Sequence, residues 1–223
     1  MRSVTRGWFV TGTDTAVGKT RASCALLHAL RERHARCVGM KPVAAGVDAR
    51  GDNEDVLALR AASNTKVPAA LDNPVLLAAA VAPHIAAARD GLTIEIDAIV
   101  RAYAALSAEA DAVVVEGAGG FLVPLSGAQT GADLAAALGL PVILVVGLRL
   151  GCLNHALLTR DAIAARGLRL AGWIANRLDP SMQEQTANLD YLRAHLPAPC
   201  LADWPWQPAA EARMLALKLA LPD

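Results

Sequence analysis

The most informative stretch of this chain is residues 12–20, with the sequence Gly12-Thr13-Asp14-Thr15-Ala16-Val17-Gly18-Lys19-Thr20. The apolar run Trp8-Phe9-Val10 precedes them, and a helical pattern over residues 18–35 follows. A strand, a glycine-containing turn and a helix in this order form a phosphate-binding loop. The turn wraps backbone N–H groups around an anion, and the helix directs the positive end of its dipole at it. In such a loop Lys19 reaches the β- and γ-phosphates of a nucleotide, and the hydroxyl of Thr20 can hold Mg²⁺.

The spacing within this loop departs from the usual pattern. The common form is G-x-x-x-x-G-K-[ST], and counting back from Gly18 places its first glycine at Thr13. Gly12 therefore stands one place early. A chance Gly-Lys-Thr at a helix start is the alternative, but the strand before the loop and the helix after it favour phosphate binding.

Length and charge limit the class of protein. The chain has 223 residues, which suits one α/β domain with a sizeable core, and we expect a single domain over residues 1–223. Lys and Arg together number 21, as do Asp and Glu, so the formal net charge is zero. The chain therefore lacks the excess of basic residues that would indicate binding to a nucleic acid or an anionic membrane, and we expect neither as a partner.

Hydropathy and cysteine usage indicate the compartment. No apolar run reaches the roughly 18–20 residues of a membrane span, and the start of the chain does not resemble a signal peptide. The four cysteines are scattered and form no Cys-x-x-Cys pair, which predicts buried free thiols rather than disulfides or a zinc site. We therefore expect a cytoplasmic protein with these thiols reduced: Cys24, Cys37, Cys152 and Cys200.

Apolar runs alternate with helical patterns along the chain. Runs that are apolar on both faces and separated by helices predict a buried parallel sheet covered on both sides. The expected fold is a doubly wound, mostly parallel α/β sheet with helices on both faces. The predicted strands are 7–12, 37–43, 112–115, 141–146 and 170–175, and the predicted helices are 18–35, 54–62, 83–90, 95–108, 131–138, 153–166, 181–195 and 209–220.

Polar residues follow several of the predicted strands. In an open parallel sheet, ligands bind beyond the carboxyl ends of the strands. The phosphate loop follows the first strand, the segment 41–46 ends the second, the segment 116–120 ends the third, and Asn176-Arg177 follows the strand 170–175. All of these segments should face one crevice.

Two acidic residues are candidates for holding Mg²⁺. Glu116 ends a run of three valines, where a charge is costly unless it is paired or bound to a metal. Carboxylate oxygens beside a phosphate loop suit Mg²⁺; the alternative is a strand-end glutamate in solvent or in a cap. Asp55 lies at the acidic start of a predicted helix. Stabilising the helix N-terminus is at least as good an explanation for a carboxylate there as binding Mg²⁺, and Asp52 or Glu54 could bind Mg²⁺ equally well.

A lysine and an aromatic segment complete the candidates. Lys41 ends an apolar strand and precedes a proline, where it could neutralise charge on a transferring phosphoryl group. A solvated strand-end lysine is the alternative. The segment Trp204-Pro205-Trp206 is either a plug of the core or a lid beside a nucleotide base.

Six segments, taken together in their order and spacing, match one known pattern. They are residues 11–20, 41–43, 115–120, 141–147, 150–156 and 171–176. Together they resemble the dethiobiotin synthetases, ATP-dependent ligases of the P-loop NTPase superfamily. The resemblance covers nearly the whole chain. The form Gly-Thr-Asp-Thr-x-Val-Gly-Lys-Thr is specific for that family and accounts for the early Gly12.

The resemblance implies a reaction, a metal and an oligomer. One amino group of 7,8-diaminopelargonate captures CO₂, supplied from bicarbonate, as a carbamate, and a carbamate oxygen attacks the γ-phosphate of ATP to give a carbamic-phosphoric anhydride. The other amine then closes the cyclic urea of dethiobiotin, a step of biotin biosynthesis, and phosphate leaves beside ADP. The family uses Mg²⁺ and acts as a homodimer with its active sites at the interface.

The resemblance also assigns roles by position. Lys19 and Lys41 would neutralise phosphate and carbamate oxygens, and Thr15 would contact the substrate or the transferring phosphoryl group. For Mg²⁺ the pattern selects Asp55 over its acidic neighbours. The implied Mg²⁺ ligands are Thr20, Asp55 and Glu116. The implied nucleotide site comprises Ala16, Val17, Gly18, Lys19, Thr20, Arg21, Asp55, Glu116, Gly117, Ala118, Gly119, Asn176, Arg177, Pro205, Trp206 and Gln207. The residues implied to close the site from the partner chain are Leu150 and Asn154.

Two positions depart from the family pattern. A hydroxyl residue commonly follows Lys-Pro-Val-Ala, and here the residue is Ala45, so a hydrogen bond to substrate or phosphate is lost or replaced. Asn176 is commonly followed by Asp, and here it is followed by Arg177. A carboxylate could accept a hydrogen bond from a base and arginine cannot, so we expect a relaxed nucleotide preference.

Two other functions share this loop. One is a P-loop ATPase that acts as a switch or in partitioning; such proteins carry a second lysine near the start of the loop, where this chain has Thr13 and Asp14. The other is a different ATP-dependent ligase forming an amide or a carbamate on the same scaffold.

Overall fold

Parallel strands dominate the structure, a computed structural model that describes residues 5–207 and 209–222. The strands lie side by side in the main sheet in the order second, fifth, first, sixth, seventh and eighth, and the third and fourth form a separate small sheet. Every pairing between these strands, in the part of the chain that the structure describes, is parallel. The strands are β1 (Arg6–Gly12), β2 (Cys37–Met40), β3 (Val43–Ala45), β4 (Val75–Leu77), β5 (Ala112–Glu116), β6 (Val142–Leu148), β7 (Leu170–Arg177) and β8 (Cys200–Trp204).

Helices cover both faces of the main sheet. Side chains alternate across β1, so Trp8 and Val10 pack in one core and Phe9 packs in another. The first core includes residues of the helices next to the phosphate loop, and the second includes residues from the middle of the chain. In the described residues the helices are α1 (Lys19–Leu30), α2 (Glu54–Ala62), α3 (Ala69–Asp72), α4 (Pro83–Arg89), α5 (Ile96–Glu109), α6 (Gly131–Leu138), α7 (Cys152–Ala165), α8 (Gln185–His195) and α9 (Ala212–Ala216).

This architecture confirms the expected doubly wound α/β fold. Strands β5 and β6 are buried over their whole length, as continuous apolar runs in a parallel sheet should be. Because β1 lies in the middle of the main sheet, the loop at its carboxyl end is flanked by the ends of β5 and β6. Within the described ranges, every helix is too short or too polar to cross a membrane.

Several predicted boundaries were wrong. The predicted strand 37–43 is two strands, because β2 ends at Met40 and β3 begins at Val43 in the small sheet. Between them Pro42 has no N–H to donate to a sheet. The predicted helix 18–35 stops at Leu30, where the polar residues of the turn that follows face solvent.

The carboxyl-terminal region also differs from the prediction. The predicted helix 209–220 is helical only over Ala212–Ala216, and the chain then returns to the main sheet, where the Ala220 N–H donates to the Leu201 carbonyl. Strand β8 was missed because its short run is interrupted by Asp203 and bounded by proline. Within it Trp204 is 1% exposed and packs in the core, whereas Trp206 is 49% exposed, so only the first tryptophan is a core plug.

Candidate active site

The phosphate loop joins β1 to α1 through two residues in the left-handed backbone region. Ala16 has φ 57° and Gly18 has φ 95°. At Gly18 an added Cβ would lie 2.4 Å from Asn176 Nδ2, so only glycine fits there. This backbone turns the loop directly into the first turn of α1, which begins at Lys19. The arrangement is the anion-binding geometry that the sequence predicts.

Lys19 is buried within this loop. Its Nζ donates a hydrogen bond to the carbonyl of Asp14 at 2.9 Å. Burial lowers the pKa of Lys19 to about 8, and the nearby Lys41 ammonium adds to the effect. Because its hydrogen-bond partner is a neutral carbonyl, the charge of Lys19 would gain more from a phosphate than from its present contact.

Lys41 lies between two carboxylates. Its Nζ donates to Glu116 Oε1 at 2.5 Å and to Asp55 Oδ2 at 2.8 Å. The hydroxyl of Thr20 is bonded to the same two carboxylates, at 2.6 Å to Asp55 Oδ1 and 2.9 Å to Glu116 Oε1. The structure thus brings together four predicted site residues from β5, α1, α2 and the end of β2.

Charge within this cluster is strongly coupled. Burial acts to lower the pKa of Lys41, but the carboxylates of Glu116 and Asp55 outweigh it and raise that pKa. Burial acts to raise the pKa of Asp55, and the Lys41 ammonium outweighs it and lowers that pKa. Lys41 is therefore held as an ammonium. Because its side chain is only 5% exposed, Lys41 is not the solvated strand-end lysine of the alternative interpretation.

The oxygen atoms of this cluster fit a hard cation. Glu116 is completely buried, and among the residues that the structure describes its Oε2 has no hydrogen-bond partner. A buried carboxylate oxygen without a partner is costly, and a divalent cation would satisfy it. Hydroxyl and carboxylate oxygens are the ligands that Mg²⁺ takes. In the described parts of the chain, no group of three or more His, Cys, Asp or Glu side chains forms a different metal site.

The loop after β5 packs against the phosphate loop. The Gly117 N–H donates to the Val10 carbonyl at 2.9 Å, which continues the β1–β5 pairing past Glu116. A Cβ added at Gly119 would lie 3.6 Å from Thr15 Oγ1, so this part of the segment Gly117–Ala118–Gly119 faces the exposed Thr15. The two glycine-containing loops form one concave edge.

Asn176 and Arg177 lie at the carboxyl end of β7 and have different partners. The Asn176 side-chain amide is buried below the phosphate loop and donates to the Val17 carbonyl at 2.9 Å. Arg177 forms a two-point ion pair with Asp203 of β8 at 3.0 and 2.9 Å and donates to Gln185 at 2.8 Å. Arg177 is thus bound by side chains of β8 and α8.

Arg21 connects the first turn of α1 to the segment after β8. Its guanidinium donates to the Gln207 carbonyl at 2.8 Å and to the Ala210 carbonyl at 3.3 Å. The neighbouring residues Pro205, Trp206 and Gln207 are all exposed. These contacts place the segment predicted to meet a base on the same side of the molecule as the phosphate loop.

Three predicted positions lie outside the cluster. Leu150 is 93% exposed in the turn before α7, and Asn154 is exposed on α7. Ala45 ends β3, where it pairs with Leu77 of β4. Sequence reasoning missed Arg149, which forms an ion pair with Asp14 of the phosphate loop, and a charged residue directly after the apolar run of β6 was the signal.

The fold and this site define a P-loop nucleotide-binding protein. Solved structures share the architecture: the MinD cell division protein of Aquifex aeolicus aligns with a TM-score of 0.59 at 16% identity, over 96% of this chain and 94% of that one. At that identity the likeness shows the fold alone.

Sequence comparison identifies the family. A family described as an AAA domain matches residues 6–213. The ATP-dependent dethiobiotin synthetase of Xanthomonas oryzae is 53% identical over 218 residues, which cover 96% of this chain and 97% of that protein. The corresponding protein of Aromatoleum aromaticum is 53% identical over 220 residues, covering 97% and 98%. The chain belongs to the family of ATP-dependent dethiobiotin synthetases, which confirms the predicted resemblance.

Proposed function

We propose that this chain catalyses the ATP-dependent carboxylation and ring closure of 7,8-diaminopelargonate to dethiobiotin. The observation that supports this most is the buried Lys41 held between Asp55 and Glu116 beside the phosphate loop. A carbamate and a triphosphate both carry negative charge, and a site that joins them needs fixed cations more than it needs a nucleophile. Family membership at 53% identity supports the same reaction.

The proposed mechanism gives each lysine a charge to neutralise. Lys19 binds the β- and γ-phosphate oxygens, leaving its present carbonyl contact. Lys41, held as an ammonium, faces the charge that develops between the carbamate oxygen and the γ-phosphate. Thr15, exposed at the rim of the loop, donates to the substrate or to the transferring phosphoryl group. Closure of the cyclic urea by the second amine then expels phosphate.

We further propose that Thr20, Asp55 and Glu116 hold Mg²⁺. When bound, the ion neutralises charge on the β- and γ-phosphate oxygens. The unpartnered Glu116 Oε2 and the hydroxyl already bonded to both carboxylates support this set. The ammonium of Lys41 lowers the pKa of Asp55 and so keeps that carboxylate ionised, as an oxygen ligand must be.

For the nucleotide base we propose the edge formed by Asn176, Arg177 and the segment 205–207. The Asn176 amide N–H is already bonded to the phosphate loop, so its Oδ1 is the atom left to accept a hydrogen bond. An acceptor at this place favours bases with an exocyclic amino group. The rest of the nucleotide site is proposed as the sequence predicts it, from Ala16 to Arg21 and from Glu116 to Gly119.

We also propose a homodimer whose interface includes the turn before α7. Leu150 is 93% exposed there, and the large side chains Leu122 and Leu158 are 54% and 60% exposed. Leu158 lies on α7, one turn after Asn154, and it lines one cavity together with Leu122. Exposed apolar side chains grouped in this way mark an interaction surface.

Substitution of Leu150 by glutamate tests the dimer. Leu150→Glu should halve the mass measured by sedimentation equilibrium, because a charge would be buried at the interface. Leu217→Glu is the matched control, since Leu217 is 79% exposed on the turn that ends α9. Equal masses for wild type and Leu150→Glu would contradict the proposed interface.

Nucleotide turnover tests the reaction. ADP release should require the diamine, bicarbonate and Mg²⁺ together, because the γ-phosphate acceptor forms only from the first two. Omitting the diamine should abolish turnover. ATP hydrolysis that continues without the diamine and depends instead on a polymer or a membrane surface would favour the partitioning-type alternative.

A further inference from the structure

The main chain of Lys41 is held from outside the main sheet. The Lys41 N–H donates to the Asp72 carbonyl at 2.8 Å, and the Lys41 carbonyl accepts from Asn73 Nδ2 at 2.7 Å. Asp72 ends α3 and Asn73 follows it. Since β2 ends one residue earlier, at Met40, the position of Lys41 depends on this short helix.

Asp72 is in turn held by α2. Its side chain is nearly buried, and Arg60 donates to it at two points, Nε to Oδ2 and Nη2 to Oδ1, each at 2.7 Å. A two-point pair fixes orientation as well as distance. A buried carboxylate that loses its partner is strongly disfavoured, so Arg60 determines where the residues 72–73 lie.

Helix α2 carries both Arg60 and Asp55. The helix begins at Glu54 after Asn53, whose side chain accepts from the Val56 N–H and donates to the Gly46 carbonyl. Asp55, in the first turn, contacts Lys41 Nζ at 2.8 Å. Lys41 is therefore attached to α2 twice, by its side chain through Asp55 and by its main chain through Asp72 and Arg60.

We propose that the Arg60–Asp72 pair is a positioning device for the reaction. The pair sets the place of Lys41 Nζ relative to Asp55 and Glu116 without contacting substrate or nucleotide. This inference rests on the proposed function, because it assigns Lys41 to the transferring phosphoryl group. A displacement of about 1 Å at such a group can cost up to about 10²-fold in rate.

Substitution at Arg60 separates positioning from binding. Arg60→Met should lower kcat by about tenfold or more while the KM for ATP stays within about threefold, because the pair lies on α2 and α3 and is not part of the phosphate loop. Arg60→Lys keeps the positive charge but loses the planar guanidinium that donates to both carboxylate oxygens of Asp72. The Tm of Arg60→Lys should therefore be close to that of wild type, while its kcat should still be lowered. This result would separate an effect on rate from an effect on folding.

A second arginine–aspartate pair in this chain is a matched control. Arg36 donates to Asp111 through Nη2 at 2.7 Å and joins the chain before β2 to the start of β5. This pair lies at the amino ends of the parallel strands, whereas the phosphate loop lies at their carboxyl ends. Arg36→Met should lower the melting temperature without changing kcat. Equal kcat losses in Arg60→Met and Arg36→Met would overturn the proposal.

Lysine acetylation followed by mass spectrometry gives a readout that needs no turnover. The chain has four lysines, of which Lys66 and Lys218 are exposed references. Lys41 should react faster in Arg60→Met than in wild type, and Lys19 should not. An unchanged rate at Lys41 would overturn the positioning role. Absence of dethiobiotin with the wild-type protein would instead overturn the proposed function, and the acetylation result would still decide the inference.

Discussion

Replacing Lys41 by glutamine would upset the charge balance of the site. Lys41 Nζ is the cation shared by Glu116 and Asp55, at 2.5 and 2.8 Å. Glutamine keeps much of the length of the side chain and removes the charge. The buried carboxylate of Glu116 and the half-buried carboxylate of Asp55 are then left facing each other without the lysine cation between them.

The magnitude follows from the distances at Thr20. Its hydroxyl lies 2.6 Å from Asp55 Oδ1 and 2.9 Å from Glu116 Oε1, so these two oxygens are at most about 5.5 Å apart. At an effective dielectric constant of about 20, two unit charges at that separation repel by about 3 kcal/mol. For a chain of this length, a loss of that size lowers Tm by roughly 6–12 °C.

Two assays check the perturbation. Turnover of Lys41→Gln should fall by about 10²-fold or more, because a cation facing the transferring charge is lost. By differential scanning calorimetry, Mg²⁺ should raise the Tm of the variant more than that of wild type, since the ion relieves the repulsion. Lys66→Gln, at an exposed lysine, is the control. Turnover within about threefold of wild type, or a Tm loss no larger than the control's, would show that Lys41 does not balance these two carboxylates.

Three further predictions concern the loop, the base and the thiols. Lys19→Gln should lower kcat about 10²-fold with little change in Tm, because burial disfavours its charge in the free protein; a kcat near wild type would contradict its phosphate role. CTP should support turnover within about tenfold of ATP and UTP far less, as only the first two offer an amino group to Asn176 Oδ1; ATP exceeding CTP by orders of magnitude in kcat/KM would refute the relaxed preference. Burial raises the pKa of Cys24 to about 12 and that of Cys37 to about 11, so at pH 8 both thiols stay protonated and should react with disulfide reagents only on unfolding; rapid labelling of either in the folded protein would count against this.

The fold was predictable because its signals are local. Buried parallel strands are apolar on both faces, and β5 and β6 each form a continuous apolar run that no other class of element explains as well. Strand β8 could not be found in this way, because Asp203 interrupts its run. That carboxylate is stabilised by Arg177 of β7, a partner 26 residues earlier in the chain.

The candidate site was predictable in part. The carboxyl ends of parallel strands meet at one edge, so the convergence of Lys41, Glu116 and the phosphate loop follows from the fold class. The choice of Asp55 over Asp52 and Glu54 did not follow from local sequence. It depends on how α2 is placed against β2 and β5, which long-range contacts such as the Arg60–Asp72 pair determine.

Nucleotide selectivity, too, could not be predicted from local sequence alone. The sequence shows that Arg177 stands where the family commonly has Asp, but it does not show that Asp203 neutralises it from the next strand. The single-domain expectation and the roles assigned to individual site residues remain predictions.

The incorporation of labelled carbon into the product is the sharpest test of the proposed carboxylation. The purified protein is incubated with ATP, Mg²⁺, ¹³C-bicarbonate and 7,8-diaminopelargonate, and the product is analysed by mass spectrometry. We expect dethiobiotin that carries the label in its urea carbon, in equal amount to the ADP formed. ADP formation without labelled dethiobiotin would contradict it.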